Sequence, residues 1–354
     1  MVGPKKMGSV AALALALAVG TTSCGINAPG QGGGTEGDEA VTGDFDALVE
    51  AAQEEGTLTV YSTETEEHLV AVINAFEEEY GIPVEYVRLA SSAVVQRFAG
   101  EKDSGVVAAD VIQLTDTTMV QDNEDWFRPF DEELLPALAE YDEEYRHDHH
   151  AAGAIYASGV QYNTDLVSPE EVPESWEDLL DPKWEGQILM VDPQASPTPV
   201  ALLELLRETY GDDFLERLGE QNPEVVDSAG PGGQQVAAGA FAFNFPTAGG
   251  AHTQPLIDEG APVDFTLMSP ATLGTNEVVL PEGSPNPNAG ALFANFRLSL
   301  EGHKAVCDTN PGYGLPFEEV LDGCIETPED TVQIDFDLWA DEELKRDQLD
   351  ELGL

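Results

Sequence analysis

One pattern repeats along this chain: a short apolar run, two or three small polar residues, then an amphipathic helix. "TLTVYS" (57–62) is followed by "TETE" and by Leu69, Val72, Ile73, Phe76 and Tyr80 at helical spacing up to Gly81. "IPVEYVRL" (82–89) leads through "ASS" into a helix bearing Val94, Val95 and Phe98. "ADVIQL" (109–114) is followed by Thr115 and Asp116, which suit a helix cap. Far downstream, "ILMVDP" (188–193) leads through "QASPT" to "PVALLELLRETYG" (199–211), with Pro199 in its first turn. Strands that alternate with helices predict an α/β fold with a parallel sheet and helices on both faces. A helix over Phe45–Glu55, ended by Gly56, precedes the first strand. Thr63 and Glu66 have the spacing of a capping box for the next helix.

Between the third and fourth copies the pattern changes. "AIYASGVQYNTDLV" (154–167) reads as extended, and "VPESWEDLLDPKWEG" (172–186) as a Pro-punctuated helix and turn. This segment is expected to cross into a second domain. The stretch 225–250 carries another strand, a Gly-rich turn, a short helix and a strand. Residues 261–287 read as strands and loops leading back, and 289–306 as one amphipathic helix.

The amino-terminal end has another character. Lys5 and Lys6 precede an apolar run from Val10 to Val19, which is too short to span a bilayer. A basic start, a short apolar centre and small residues before a cut describe an export signal over residues 1–23. Cys24 follows Ser23 and opens a Gly-rich polar tether, residues 24–44, that is not expected to fold. A cysteine between a signal and a tether looks like the lipidation site of a bacterial lipoprotein. The usual Leu three positions before the cysteine is Thr21 here. Lipid on Cys24 would hold the protein on the outer face of the cell membrane without a spanning helix. If Cys24 carries lipid, Cys307 and Cys324 remain as a disulfide pair in an oxidising compartment.

The 14 Lys and Arg face 68 Asp and Glu, a net charge of -54. A basic patch for a phosphate backbone is effectively excluded. So is docking to anionic lipid. Acid blocks such as "FEEEYG" alternate with apolar residues, as solvated helix faces do. Such self-repulsion destabilises a compact state, and salt screens it. A halophilic source is the simplest account. An acidic exterior and sequestration of cations by the surface are the others.

"GTLTVYSTETEEHLVAVINAFEEEYGIPVEY", "SSAVVQRF", "ADVI", "VQYNTDLV", "VPESWEDLLDPKWEGQILMVDP" and "ANFRLSLEGHKAV" resemble, in that order, the extracellular solute-binding proteins of ABC importers. The resemblance is to the branch typified by ferric-iron-binding proteins, which also has members for thiamine, polyamines and phosphonates. It implies a periplasmic-binding-protein-like type II fold: two α/β lobes joined by a hinge, with the ligand in the cleft between them. One lobe would comprise 45–155 plus about 262–300, and the other 156–261 plus about 301–354. It further implies a small-molecule or ion ligand and an ABC permease as partner; no cofactor, a monomeric state and no catalysis are separate expectations.

In open α/β sheets, ligands sit beyond the carboxyl ends of the strands. The polar loops there are therefore expected to converge: Ser62, Thr63 and Glu64; Ser91 and Ser92; Thr115 and Asp116; Ser196 and Thr198. Tyr156, Asn244 and Asn276 complete the candidate ligand-binding set. Simple N-capping is the competing role for each Ser and Thr. Iron-binding members usually use adjacent tyrosines, and here "FAFNFPTAGG", with Asn244 and Thr247, stands where that pair is sought. Ferric iron is therefore in doubt. An oxyanion could use helix starts and Arg88, and an amine could use Glu64, Asp116 or Tyr156. "RHDHH" (146–150) is expected to be a solvated loop rather than a metal site. An enzyme or a surface scaffold on the same fold is the rival class. The chain has no G-x-S-x-G elbow and no H-E-x-x-H.

Overall fold

A computed structural model describes residue 40, residues 43–130, 132–309, 313–316 and 330–354, and residues 321, 324, 325 and 328. The signal segment and Cys24 lie outside these described residues, as does nearly all of the tether.

The first half opens as expected with α1 (Phe45–Glu55), whose Asp44 side chain accepts from the Ala47 N–H. Gly56 ends it in the left-handed region, at φ 76°, which a side chain would strain. There follow β1 (Leu58–Ser62), α2 (Glu66–Tyr80), β2 (Val84–Arg88), α3 (Ser91–Ser104), β3 (Val111–Leu114) and α4 (Thr118–Asp122). The capping-box expectation fails: Thr65 is the N-cap of α2 and its hydroxyl makes no cap bond. That hydroxyl is instead 2.7 Å from His68 Nδ1.

The chain then crosses on β4 (Ala151–Asn163). Beyond it lie β5 (Ile188–Val191), α5 (Pro197–Tyr210), α6 (Phe214–Gly219), β6 (Glu224–Val226), α7 (Ala229–Ala237), β7 (Phe243–Ala248), α8 (Gln254–Asp258) and β8 (Val263–Leu267). Residues 172–186, expected to hold a helix, form two 3₁₀ turns, Trp176–Leu180 and Pro182–Trp184. The return strand is β9 (Ala271–Val279). It is followed by α9 (Pro287–Leu298), α10 (Leu300–Thr309), β10 (Thr331–Gln333), α11 (Phe336–Ala340) and α12 (Glu342–Leu352). The single helix expected over 289–306 is two, because Ser299 is extended and its hydroxyl accepts from the Gly302 N–H to start α10.

The strands run in the order β2-β1-β3-β9-β4-β7-β5-β6, with β10 on β9 and β8 on β4. The βα units pair in parallel: β1 with β2 and β3, and β5 with β6 and β7. The sheet is nevertheless mixed, not purely parallel. β4 and β9 are antiparallel to each other, β9 is antiparallel to β3, and β4 is antiparallel to β7 and β8. Strand β4 has two parts: Ala151–Ala157 pairs with β9, and Ser158–Asn163 pairs with β7 and β8. Two lobes therefore meet at the middle of one strand.

Each lobe buries apolar side chains on both faces of its sheet. In the first, Leu69, Phe76, Leu292 and Phe293 pack on one face, and Tyr61, Val94, Phe98 and Phe127 on the other. In the second, Trp176, Leu202, Phe214, Phe243 and Phe245 lie on one face, and Leu189, Val236 and Val263 on the other. Helix α10 packs on α2 of the first lobe. Helices α11 and α12 pack on α5 and α6 of the second, where Leu352 is buried. The expected disulfide joins Cys307 to Cys324. Closing a loop of that size contributes about 3 kcal/mol in the chain-entropy view.

Candidate functional site

The carboxyl ends of β1, β2 and β3 in one lobe face those of β5, β6 and β7 in the other, across a cavity of about 370 Å³. From the first lobe it is lined by Thr63, Glu64, Thr65, Arg88 and Thr115. From the second come Ser196, Thr198, Asp227, Ser228 and Thr247. Tyr156 on β4 and Asn276 on β9 lie where the lobes join.

Seven of the sequence-predicted residues thus line one space: Thr63, Glu64, Thr115, Tyr156, Ser196, Thr198 and Asn276. The others do not. Ser62 is fully buried, and its hydroxyl accepts from the Glu64 N–H at 3.1 Å, shaping the loop. Asp116 accepts from the Thr118 N–H at 2.9 Å. Ser91 and Ser92 open α3 away from the cavity. Asn244 is fully buried beneath it. Its amide donates to Ala229 O at 2.9 Å, and a Cβ at Gly232 would come within 2.5 Å of its Oδ1.

The wall of the first lobe is held by long-range bonds. The Asn276 amide donates to Thr63 Oγ1 at 2.9 Å, linking positions 213 apart. Arg297 Nη2 donates to Glu64 Oε1 at 2.9 Å; the side chains are 0% and 4% exposed. Glu64 Oε2 and Asn276 Oδ1 are buried without a protein partner. Arg88 Nε donates to the Glu64 carbonyl. The Tyr156 ring lies against Gly274, where a Cβ would come within 2.2 Å of it, so a side chain there would have to displace the ring.

Burial sets the local protonation. It raises the Tyr156 phenol to about 12. It raises Tyr313 further, with the Glu64 charge adding to the effect. The two rings stand edge to face at 6.4 Å, and both line the cavity. Burial lowers His68 to about 4, against the opposing pull of Glu64. It lowers His252, another lining residue, as well. These aromatic groups are therefore neutral at pH 7, and the charges at the cavity are those of Glu64, Arg88 and Asp227.

The histidine run is a loop, as expected, with His147 and Asp148 exposed, but it is not solvated throughout. His150 is buried, with Nδ1 3.0 Å from Glu277 Oε2, and its ring packs on His147. Among the described residues, no group of three or more His, Cys, Asp or Glu could hold a metal ion. No helix among them is long and apolar enough to cross a membrane.

Tyr313, His252, Asp227 and Arg297 were not legible as site residues. Asp227 had a usable signal, since it follows a strand and precedes the small residues 228–233. Arg297 had none, because its partner lies 233 positions away.

The sequence model for bacterial extracellular solute-binding proteins matches residues 109–245. A protein of Haemophilus influenzae is 25% identical over 288 residues, 73% of this chain and 77% of that one. Among solved structures, iron-bound HitA from Pseudomonas aeruginosa superposes with a TM-score of 0.65 at 15% identity, over 84% of this chain and 99% of that one. AfuA from Actinobacillus pleuropneumoniae, with fructose-6-phosphate bound, gives 0.61 at 19%, over 84% and 99%.

Proposed function

We propose that this chain is an extracellular solute-binding protein and that the cavity is its binding site, a reading supported by the match of its central segment and by its fold. The protein captures a small solute there and delivers it to the permease of an ABC importer. The observation that carries this reading is the convergence of polar loop residues from both lobes on one cavity. A ligand touching Thr63 and Thr115 on one side and Ser196 and Thr198 on the other is gripped best when the lobes close, so it shifts the population to the closed state. The division we adopt places the hinge at the middle of β4 and at the 268–271 connection into β9.

An export signal, lipid on Cys24 and a monomeric state complete the reading, on the strength of the sequence. Ferric iron is a second reading, favoured by Tyr156 and Tyr313, which reach the cavity from distant parts of the chain. Three features support an organic solute instead. Burial holds both phenols protonated, Glu64 is already neutralised by Arg297, and hard Fe(III) needs anionic oxygen ligands.

A thermal-shift screen of small solutes tests the proposal. A solute at 100 times its Kd stabilises by about 2.7 kcal/mol. Thr198→Trp, which fills the cavity, should abolish that shift. A substrate turned over without any solute moving the midpoint would refute the transport reading. A phenolate-to-iron absorption band on adding ferric citrate would select the metal.

A further inference from the structure

Among the described residues, Arg88 is the only Lys or Arg that lines the cavity. The chain has only 14 Lys and Arg among 68 acids. Eight of those cations form ion pairs with carboxylates of this chain: Arg97, Arg146, Lys183, Arg207, Arg217, Arg297, Lys304 and Lys345. Arg88 forms none among the described residues. It stands exposed at the cavity rim, anchored only through Nε to the Glu64 carbonyl, which leaves the outer face of the guanidinium to the cavity. A planar fork of N–H donors held in this way suits a carboxylate or phosphate group.

The inner wall asks for the opposite chemistry. Glu64 and Asn276 are 6% and 4% exposed, and both line the cavity. Glu64 Oε2 and Asn276 Oδ1 lack a protein donor. A buried acceptor left unpaired is costly, so a ligand that brings a donor to it gains affinity. Asp227, exposed on the facing wall, is a third acceptor.

We propose that the solute is a small organic acid that also carries a hydrogen-bond donor: an acid group on Arg88, and a hydroxyl or ammonium on Glu64 Oε2 and Asn276 Oδ1. The proposal rests on the cavity being the binding site, and it names the ligand class that site takes. Free metal ions, plain amines, neutral polyols and acids without a donor satisfy only one wall or neither. The net charge of -54 repels any anion at low salt, so binding is measured in molar salt, where the repulsion is screened.

The experiment is a thermal-shift and calorimetric screen of the mature protein. Matched sets are used: β-alanine, propionate and propylamine; glycerol 3-phosphate, glycerol and inorganic phosphate. A wider library sorted into the same charge classes, with ferric citrate, completes the panel. The strongest binder should be a donor-bearing acid. Arg88→Ala should weaken it about tenfold to a hundredfold, the effect of one charge-assisted contact, and Asn276→Ala should weaken it about tenfold. Arg88→Lys should recover part of the loss. A strongest binder from any other class overturns the proposal. So does a donor-bearing acid whose Kd is unchanged in Arg88→Ala. If that binder is still lost in Thr198→Trp, only the ligand class is wrong. If it also survives Thr198→Trp, the cavity reading fails too, and a screen without any binder ends both.

Discussion

Arg297→Met removes one half of a buried ion pair while keeping much of the side-chain volume. The guanidinium is fully buried and its Glu64 partner nearly so, at 2.9 Å. The variant leaves a carboxylate in the protein interior with no counter-charge, which costs about 3–5 kcal/mol. At about 2.1 cal/mol/K per residue, a folded part of about 300 residues unfolds with an entropy near 0.6 kcal/mol/K. The midpoint should therefore fall by about 5–8 °C. Adding Glu64→Met to Arg297→Met replaces the pair by two apolar side chains. Such replacements are often neutral, so most of the loss should return. Solute binding should not return, because Glu64 lines the cavity. Differential scanning calorimetry in molar salt, with a solute titration of each variant, measures both quantities. A single variant melting within 1 °C of the wild type, to order of magnitude, would refute the reasoning. So would a double variant that melts no higher than the single.

Three further outcomes are expected. His68 sits near 4 when folded against 6.5 when unfolded, so the unfolded chain binds the extra proton between those values. Its stabilisation is complete above pH 6.5 and is lost, by about 3 kcal/mol, as pH falls to about 4; His303, also lowered by burial, acts in the same direction. His68→Asn should flatten the pH dependence of the midpoint in that window, and slopes parallel to wild type would count against the assignment. With a net charge of -54, the midpoint should rise on going from dilute buffer to molar salt, and equal midpoints would remove the screening account. Cys24→Ala should release the protein from washed membranes into the medium, and unchanged retention would count against the lipid anchor.

The parts of the fold legible in the sequence are those fixed by local patterns. Strand β1, helix α1 and helix α5 lie within two residues of where periodicity and caps put them, because each is a short segment whose apolar pattern matches its burial. The mixed sheet was not legible. Strand direction depends on where β9 inserts, between β3 and β4, and no local signal carries that. Five cavity residues, Thr63, Glu64, Thr115, Ser196 and Thr198, were legible because loops at strand ends must converge in a doubly wound sheet; Tyr156 and Asn276 lie within β4 and β9. Ser91, Ser92 and Asn244 satisfy the same local pattern, yet α3 and the close packing of Gly232 turn them elsewhere. Arg297 and Tyr313 reach the site only through tertiary contacts.

Helix α1 meets α9 where the Glu55 carboxylate accepts from the Asn288 amide and the Ala289 N–H, the farther 234 positions away. Helix α12 closes the other lobe through the Gln348 bond to Val200, 148 positions back. During synthesis, then, neither half of the molecule has its complete interior until segments made far later emerge from the ribosome. Each half therefore depends, for closing its interior, on residues encoded near the far end of the gene.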